Sequence, residues 1–469
     1  MKTQPANFAR TIQAWKTICT VLLLCAAMTV PASAQTYSVV TDAVSDAFLT
    51  LGLDGNFYTA VYGGETPGLI YRITPSGTVT TVYSFPGYPH ESDPAPRLLL
   101  GTDGNFYGTT LVPFGSIFKV TPDGAFTTLY TFTCSNIDCG GGYWADFGLV
   151  EGRDGNFYGT AALAGANNWG MMFRVTPGGT FTVVYNFCAS ANCTDGGRPG
   201  QLIQASDGNF YGATNYGGSE NGGTIFKITP DGALTVLHNL HLGLYVEWGL
   251  IEGSDGNFYG ATYGGGANGK GSVFKMTPTG DTSTLYSFCS QANCTDGGHP
   301  YAGLVEGSDG KFYGTTLVGG NSPQHGGTIF SVTPAGAQTT LYRFCAAGFP
   351  CSDGDSPEST MIQATNGNFY GTNVQGGTGG GVVYSLSVGL DPLVEMLPTS
   401  SQVGQSVKIL GQGLSGTTAV SFNGISAGFT INSDTYITAS VPAGTTTGYV
   451  TVETAGGTLR SNLPFQIKP

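Results

Sequence analysis

Acidic side chains recur at one position of the chain's repeated sequence blocks. Three residues before a recurring Asp-Gly turn, or its Asn-Gly variant, lie Leu51, Leu100, Glu151, Gln204, Glu252, Glu306 and Gln363. If these segments are the innermost strands of a ring, the carboxylates of Glu151, Glu252 and Glu306 converge near its central channel. There they would hold a cation or, since carboxylates usually stay hydrated, only line a water-filled tunnel. Both alternatives remain open.

Aromatic side chains form a second group suited to binding. Tyrosine and tryptophan supply large, rigid contact surfaces with a polar edge. The aromatic residues that the strand pattern places in long loops are Tyr62, Trp144, Trp169, Tyr216, Trp248 and Tyr263. We expect them to be contact platforms for a glycan or a protein. The alternative, that they pack beneath their own loops, is also open.

Eight cysteines follow residue 34 and form four close pairs. The pairs are Cys134/Cys139, Cys188/Cys193, Cys289/Cys294 and Cys345/Cys351. In an exported chain, such even and local pairing predicts four small disulfide loops. Metal binding is the weaker alternative, because the pairs lack Cys-x-x-Cys spacing and no histidine cluster accompanies them.

A tandem repeat must position all of these groups. Asp-Gly-Asn-Phe-Tyr or a close variant occurs seven times, with its phenylalanines 48 to 57 residues apart at Phe57, Phe106, Phe157, Phe210, Phe258, Phe312 and Phe369. Within 249–288, four segments (a to d) are joined by an Asp-Gly turn, a Gly-rich loop and a Pro-Thr-Gly turn, which are strand and turn signals. Seven units of four antiparallel strands predict a seven-bladed β-propeller over residues 35–388.

The strand count also predicts how the ring closes. The seventh repeat offers three strands, and one unassigned strand signal, residues 36–40, precedes the first repeat. We predict that this N-terminal strand completes the last blade and so removes an open sheet edge. In this order the short a–b and c–d turns share one face. The long b–c and d–a loops, with the aromatic residues and the cysteine pairs, share the other.

Two blocks that recur in phase resemble a known family. Residues 103–110 (Asp-Gly-Asn-Phe-Tyr-Gly-Thr-Thr) and 117–124 (Ile-Phe-Lys-Val-Thr-Pro-Asp-Gly) are their clearest copies. Over about residues 45–388 the chain resembles the GloVer tandem repeat of exported bacterial proteins with varied C-terminal anchors. The resemblance implies an exported propeller and names no ligand. A likeness to the propellers of streptogramin lyases and two-component sensors concerns the fold alone.

Residues 391–469 break the repeat. Short alternating segments at 409–414, 419–424, 437–442 and 448–453 resemble an IPT/TIG domain, an immunoglobulin-like β-sandwich of bacterial surface proteins. The resemblance implies a spacer or a protein-contact module. The predicted fold is therefore all-β, a propeller followed by a sandwich.

Motifs of the common catalytic classes are missing from the sequence. We find no Gly-x-Ser-x-Gly, His-Glu-x-x-His or phosphate-binding loop, and the five histidines form no cluster. We therefore predict a non-catalytic binding or scaffold protein with no catalytic residue, cofactor or metal. The rival is a propeller lyase or glycan hydrolase, because paired carboxylates near the channel need not be close in the chain.

The first 34 residues have the pattern of a secretory signal peptide. Lys2, Arg10 and Lys16 precede an apolar stretch, and Ala32-Ser33-Ala34 fits a cleavage site. Removing these three basic residues changes the net charge from −13 to −16, which disfavours nucleic acid and anionic lipid as partners. No other apolar run is long enough to span a bilayer. We expect a secreted or cell-surface monomer that binds an extracellular or envelope glycan or protein.

Overall fold

A computed structural model of the chain describes residues 35–42, 44, 47–63, 66–87, 93–111, 115–132, 147–246, 249–321, 326–348 and 350–468. Apart from three short 3₁₀ turns (Ala191–Cys193, Ala292–Cys294 and Leu414–Gly416), every regular element in these ranges is a β-strand. None of their helices has the length and apolar character needed to cross a bilayer. The predicted signal peptide, residues 1–34, lies outside the described residues.

The strands of the repeat region are, in chain order, β1 (Thr36–Thr41), β2 (Thr50–Leu51), β3 (Phe57–Val61), β4 (Leu69–Ile73), β5 (Val79–Ser84), β6 (Leu99–Leu100), β7 (Phe106–Thr110), β8 (Ser116–Val120), β9 (Phe126–Thr131), β10 (Leu149–Glu151), β11 (Phe157–Ala161), β12 (Met171–Val175), β13 (Phe181–Asn186), β14 (Gly197–Gln204), β15 (Phe210–Tyr216), β16 (Asn221–Ile228), β17 (Leu234–His241), β18 (Ile251–Glu252), β19 (Phe258–Thr262), β20 (Ser272–Met276), β21 (Thr282–Ser287), β22 (Val305–Glu306), β23 (Phe312–Thr316), β24 (Thr328–Val332), β25 (Gln338–Arg343), β26 (Ile362–Gln363), β27 (Phe369–Asn373) and β28 (Val382–Ser387). The C-terminal strands are β29 (Glu395–Leu397), β30 (Ser400–Ser401), β31 (Ser406–Leu410), β32 (Ala419–Phe422), β33 (Ile425–Ser426), β34 (Phe429–Ile431), β35 (Tyr436–Ser440), β36 (Val450–Thr454), β37 (Gly457–Arg460) and β38 (Gln466–Ile467).

The repeat region consists of four-stranded antiparallel sheets, which we call blades 1 to 7 in the order of their first strand after β1. Six of them are formed by four consecutive strands, from β2–β5 through β22–β25. The last has the order β1-β28-β27-β26, with Tyr37 opposite Leu386 and Ser38 opposite Ser385. The predicted all-β fold is confirmed, and the N-terminal strand completes the last blade as expected.

The Asp-Gly-Asn-Phe-Tyr block folds as a self-contained a–b turn. In blade 2, the Asp103 carboxylate accepts hydrogen bonds from the Asn105 backbone N–H (3.0 Å), the Asn105 amide (2.6 Å) and the Tyr107 hydroxyl (2.8 Å). Gly104 has a φ of 93°, which other residues rarely adopt. Burial alone would raise the pKa of Asp103, but these hydrogen bonds and Lys119 lower it overall. The aspartate therefore fixes both the turn and the orientation of the tyrosine ring.

The strand-b tyrosine of each blade contacts the strand-b phenylalanine of the next. The ring centroids lie 4.1 Å apart in Tyr58–Phe106, 4.0 Å in Tyr107–Phe157, 4.3 Å in Tyr158–Phe210, 4.2 Å in Tyr211–Phe258, 3.8 Å in Tyr259–Phe312, 4.1 Å in Tyr313–Phe369 and 4.5 Å in Tyr370–Phe57. The last pair joins blade 7 to blade 1 and closes the ring. The Phe-Tyr pairs of the repeat therefore pack between neighbouring blades.

The predicted channel carboxylates each bind the a–b turn of the preceding blade. Glu151 accepts from the Thr102 N–H (2.7 Å) and hydroxyl (2.5 Å), Glu252 from the Ser206 N–H (2.6 Å) and hydroxyl (2.5 Å), and Glu306 from the Ser254 N–H (2.8 Å) and hydroxyl (2.5 Å). In blades 4 and 7, Gln204 and Gln363 accept from the corresponding N–H groups of Arg153 and Ser308. We call this place in strand a the acceptor position, since it links neighbouring blades.

The C-terminal strands form a β-sandwich over the a–b turn face of the propeller. Its sheets have the orders β29-β31-β35-β34 and β33-β32-β36-β37, and β30 pairs with β38. The Thr435 hydroxyl donates to the Leu53 carbonyl (2.6 Å), the Lys408 ammonium to the Thr102 carbonyl, and the Lys468 ammonium to the Arg153 carbonyl (3.1 Å). The sandwich thus contacts the a–b turns of blades 1, 2 and 3.

A substitution of Tyr37 measures how much the N-terminal strand stabilises the ring. Its ring stacks on Tyr342 at 3.9 Å, and its hydroxyl donates to the Asp353 carbonyl at 2.5 Å. We expect Tyr37→Ala to destabilise the chain by about 3 kcal/mol, because an aromatic ring and its inter-blade contacts are lost. Val39→Ala is the control, since Val39 is 42% exposed on the same strand. Equal urea unfolding midpoints for the two variants would contradict this role.

Substitutions of Glu306 measure how much the acceptor position contributes to stability. The variant Glu306→Ala leaves the Ser254 N–H without its acceptor, and we expect a loss of about 1–3 kcal/mol in the free energy of unfolding. Glu306→Gln should stay close to the original stability, because Gln363 makes the equivalent bond to Ser308 at 2.9 Å. Urea titrations followed by intrinsic fluorescence measure both. A glutamine variant as unstable as the alanine variant would show that the carboxylate's charge matters instead.

Candidate functional site

The innermost strands and the C-terminal sandwich line a cavity of about 570 Å³ on the propeller axis. Its wall is mostly apolar and includes Leu99, Val150, Ile203, Val305 and Ile362. These residues lie at one repeat position, and side chains alternate along a strand, so the position two residues earlier also faces the cavity. That earlier position is occupied by Phe48, Arg97, Gly148, Gln201, Gly249, Gly303 and Thr360.

Two charged side chains line this cavity, Arg97 near the d–a loops and Glu395 on the sandwich. The Arg97 guanidinium donates to the Gln201 amide oxygen at 2.6 Å and lies 5.5 Å from the centre of the Phe48 ring. Burial raises the pKa of Glu395 to about 7. Glu395 therefore changes its charge near neutral pH, whereas Arg97 stays protonated.

The acceptor-position carboxylates contribute less to this cavity than the sequence suggested. Glu151 and Glu252 border a second cavity of about 550 Å³ beside the sandwich, but their oxygens are bound to Thr102 and Ser206. Burial raises the pKa of Glu151 and of Glu306, while hydrogen bonds from Thr102 and Ser254 oppose the shift. In the part of the chain that the structure describes, no three histidine, cysteine or acidic side chains gather as possible metal ligands.

Three of the four predicted disulfides are present in the long-loop face: Cys188–Cys193, Cys289–Cys294 and Cys345–Cys351. Cys134 and Cys139 lie outside the described residues. In the first loop, the Asp195 carboxylate accepts from the Tyr185 hydroxyl (2.8 Å) and from the N–H groups of Ala189 (2.9 Å) and Ser190 (3.0 Å). The disulfide and this carboxylate together fix the loop on the outer strand of its own blade.

Trp169, Tyr216 and Arg198 meet at the junction of blades 3 and 4 on the long-loop face. The rings of Trp169 and Tyr216 stack at 4.1 Å with an angle of 12°, and the Arg198 guanidinium lies 5.5 Å from the Trp169 ring centre. The Arg198 N–H donates to the Trp169 carbonyl at 2.6 Å, which ties the two loops together. Gly197 leaves room for the indole, since a Cβ there would lie 3.3 Å from it. Tyr216 remains 41% exposed.

The other predicted platform residues lie elsewhere. Tyr263 packs against His299 (4.5 Å) and Tyr301 (6.1 Å), and the Lys270 ammonium lies 3.3 Å from His299 Nε2. Tyr62, at the end of β3, is 54% exposed. Trp144 and Trp248 lie outside the described residues. The structure therefore brings together Trp169 and Tyr216, and not the whole predicted set.

Arg97 and Arg198 are not among the predicted site residues. A signal for Arg97 existed: nine residues before each strand-b phenylalanine, it is the one charged residue among seven equivalent positions. Arg198 and His299 occupy the same place in two matching Thr-Asp-Gly-Gly loops, and both have a φ of 55°. Their role depends on the neighbouring blade, which local sequence does not reveal.

Comparisons with known proteins agree with this architecture. A family model described as Gloeobacter/Verrucomicrobia repeat matches residues 45–247 and 246–410. A model of the IPT/TIG domain matches residues 393–467. No functionally curated protein matches the chain.

Several solved structures are similar in fold. They include the extracellular domain of a hybrid two-component system from B. thetaiotaomicron, with a TM-score of 0.50 and 12% identity over 93% of this chain and 58% of that chain. The extracellular domain of a one-component system from the same organism has a TM-score of 0.47 and 13% identity over 94% of this chain and 57% of that chain. The WD40 β-propeller domain of Doa1 has a TM-score of 0.45 and 14% identity over 75% of this chain and 97% of that chain.

The chain spans less than three fifths of the length of the two sensor domains. At such low identity the likeness concerns the fold alone. The family matches, by contrast, cover both the blades and the sandwich. The chain belongs to the Gloeobacter/Verrucomicrobia repeat family and ends in an IPT/TIG domain.

Proposed function

We propose that the protein is an exported, non-catalytic binding module whose long-loop face holds a glycan or a protein. The observation that carries the proposal is the stacked pair Trp169 and Tyr216 with Arg198 beside it. A stacked aromatic pair offers a rigid apolar surface, and the guanidinium adds donors for carboxylate or hydroxyl oxygens. Sugars and protein side chains both suit such a surface.

The two faces of the propeller support the choice of the long-loop face. The IPT/TIG domain contacts the a–b turns of blades 1, 2 and 3, so that face is partly covered within the chain itself. The opposite face carries the disulfide loops, whose backbone is held by Asp195 and its counterparts Asp296 and Asp353. Loops on a rigid scaffold are common binding sites. The IPT/TIG domain would then serve as a spacer or contact module.

An extracellular location fits the same features. Three disulfides in long loops are typical of an oxidising compartment. The N-terminal 34 residues have the pattern of a signal peptide, and the similar hybrid two-component protein is described as an extracellular domain. Secretion or display at the cell surface would give the long-loop face access to envelope glycans and proteins.

The stacked pair gives a direct test of this proposal. The mature chain should retain a ligand from an envelope extract or on a glycan array, and Trp169→Ala should weaken that binding at least tenfold, because central aromatic contacts often dominate an interface. Tyr449→Ala is the matched control, since Tyr449 packs against Arg460 at 3.5 Å on the IPT/TIG domain. Binding that survives Trp169→Ala, or turnover of a polysaccharide by the chain, would contradict the proposal.

A further inference from the structure

The Arg97 end of the axial cavity contains a cation that has no counter-ion among the described residues. Arg97 extends from blade 2 past Gly148 of blade 3 to Gln201 of blade 4, and a Cβ at Gly148 would lie 3.0 Å from the Arg97 Cδ. Among the described residues, no carboxylate lies within ion-pair distance of the guanidinium. A charge removed from water is costly unless it is paired.

The charge and the hydrogen-bond donors at Arg97 favour the binding of an anion. Burial lowers the pKa of the guanidinium to about 10, so it remains charged at physiological pH. One of its five N–H groups is bound to the Gln201 amide oxygen, which leaves N–H donors on the guanidinium and the Gln201 NH₂ group for a ligand. A planar guanidinium matches a carboxylate through two parallel hydrogen bonds.

The rest of the cavity determines which group a ligand can carry besides its anionic end. Leu99, Val150, Ile203, Val305 and Ile362 line its middle, and Met396 and Phe465 of the IPT/TIG domain lie at the far end. A volume of about 570 Å³ falls in the usual range of small-molecule sites. A hydrocarbon chain would be stabilised here, whereas a multiply charged anion would find one cation and few further donors.

We propose that this cavity binds a small aliphatic monocarboxylic acid, with its carboxylate on Arg97 and Gln201 and its hydrocarbon part among the aliphatic side chains of the innermost strands. Three of the seven positions around Arg97 are glycines, Gly148, Gly249 and Gly303, so this position adds no side chain to the cavity at those blades. This end of strand a adjoins the d–a loops, and the opposite end is covered by the IPT/TIG domain. The site is separate from the aromatic surface of the proposed function.

Titration calorimetry on the mature chain tests the site with sodium octanoate as the probe. Octan-1-ol has the same hydrocarbon chain without the charge, and inorganic phosphate has charge without the chain. We expect octanoate to bind, and Arg97→Gln to weaken its affinity about tenfold or more, because a charge-assisted hydrogen-bond pair is lost. Octanol should bind more weakly and respond little to Arg97→Gln, and phosphate should not bind.

Two further variants distinguish the loss of the binding site from a loss of the folded structure. Arg343→Gln removes an exposed arginine that binds the Thr295 carbonyl at 2.8 Å outside the cavity, and octanoate binding should be unchanged. Val150→Trp fills the cavity without altering its charge and should abolish binding. Urea unfolding confirms that each variant is folded. Octanoate binding that is absent, equal in folded Arg97→Gln, or no stronger than phosphate binding would overturn the proposal, whereas the Trp169→Ala test bears only on the aromatic surface at the junction of blades 3 and 4.

Discussion

Stacking between a tyrosine of one blade and a phenylalanine of the next is the interaction on which the rest of the structure depends. Each blade has two faces to bury, and the strand-b rings fill the wedge between neighbours from Tyr58–Phe106 to Tyr370–Phe57. The Asp-Gly turn orients every tyrosine by accepting its hydroxyl, as Asp103 does for Tyr107. Because the same contact repeats around the ring, the described parts of the long loops lie on one face and the a–b turns on the other.

Because the repeats are so similar, the positions at which they differ require an explanation. Six equivalent places around the axis hold Phe48, Gly148, Gln201, Gly249, Gly303 and Thr360, and the remaining one holds Arg97. The aromatic pair on the long-loop face is a second departure, since Lys270 occupies in blade 5 the place of Trp169 in blade 3. The other blades fold with different residues at these places, which is why we assign Arg97 and the aromatic pair to the two proposed sites.

The sequence predicted those parts of the fold whose causes are local or periodic. The a–b turns, the strand order and the role of residues 36–40 in the last blade depend on turn chemistry and strand counting, and all are present. The acceptor position shows that contacts between blades are not predicted by local or periodic signals. The phase of Glu151 in the repeat predicts its place on the innermost strand, but not its partner Thr102, which lies 49 residues earlier, on another blade. The IPT/TIG contacts are more distant in sequence still, since Thr435 and Leu53 are 382 positions apart.

The two proposed sites are related by the direction of strand a. This strand begins at the long loops, passes Arg97 and its equivalents, and ends at the a–b turn beneath the IPT/TIG domain. A small carboxylate that reaches Arg97 from the long-loop end would therefore enter on the face that carries Trp169 and Tyr216. Glu395, Met396 and Phe465 line this cavity together with the aliphatic side chains of the innermost strands, so the IPT/TIG domain is a part of the cavity as well as an appendage to the ring.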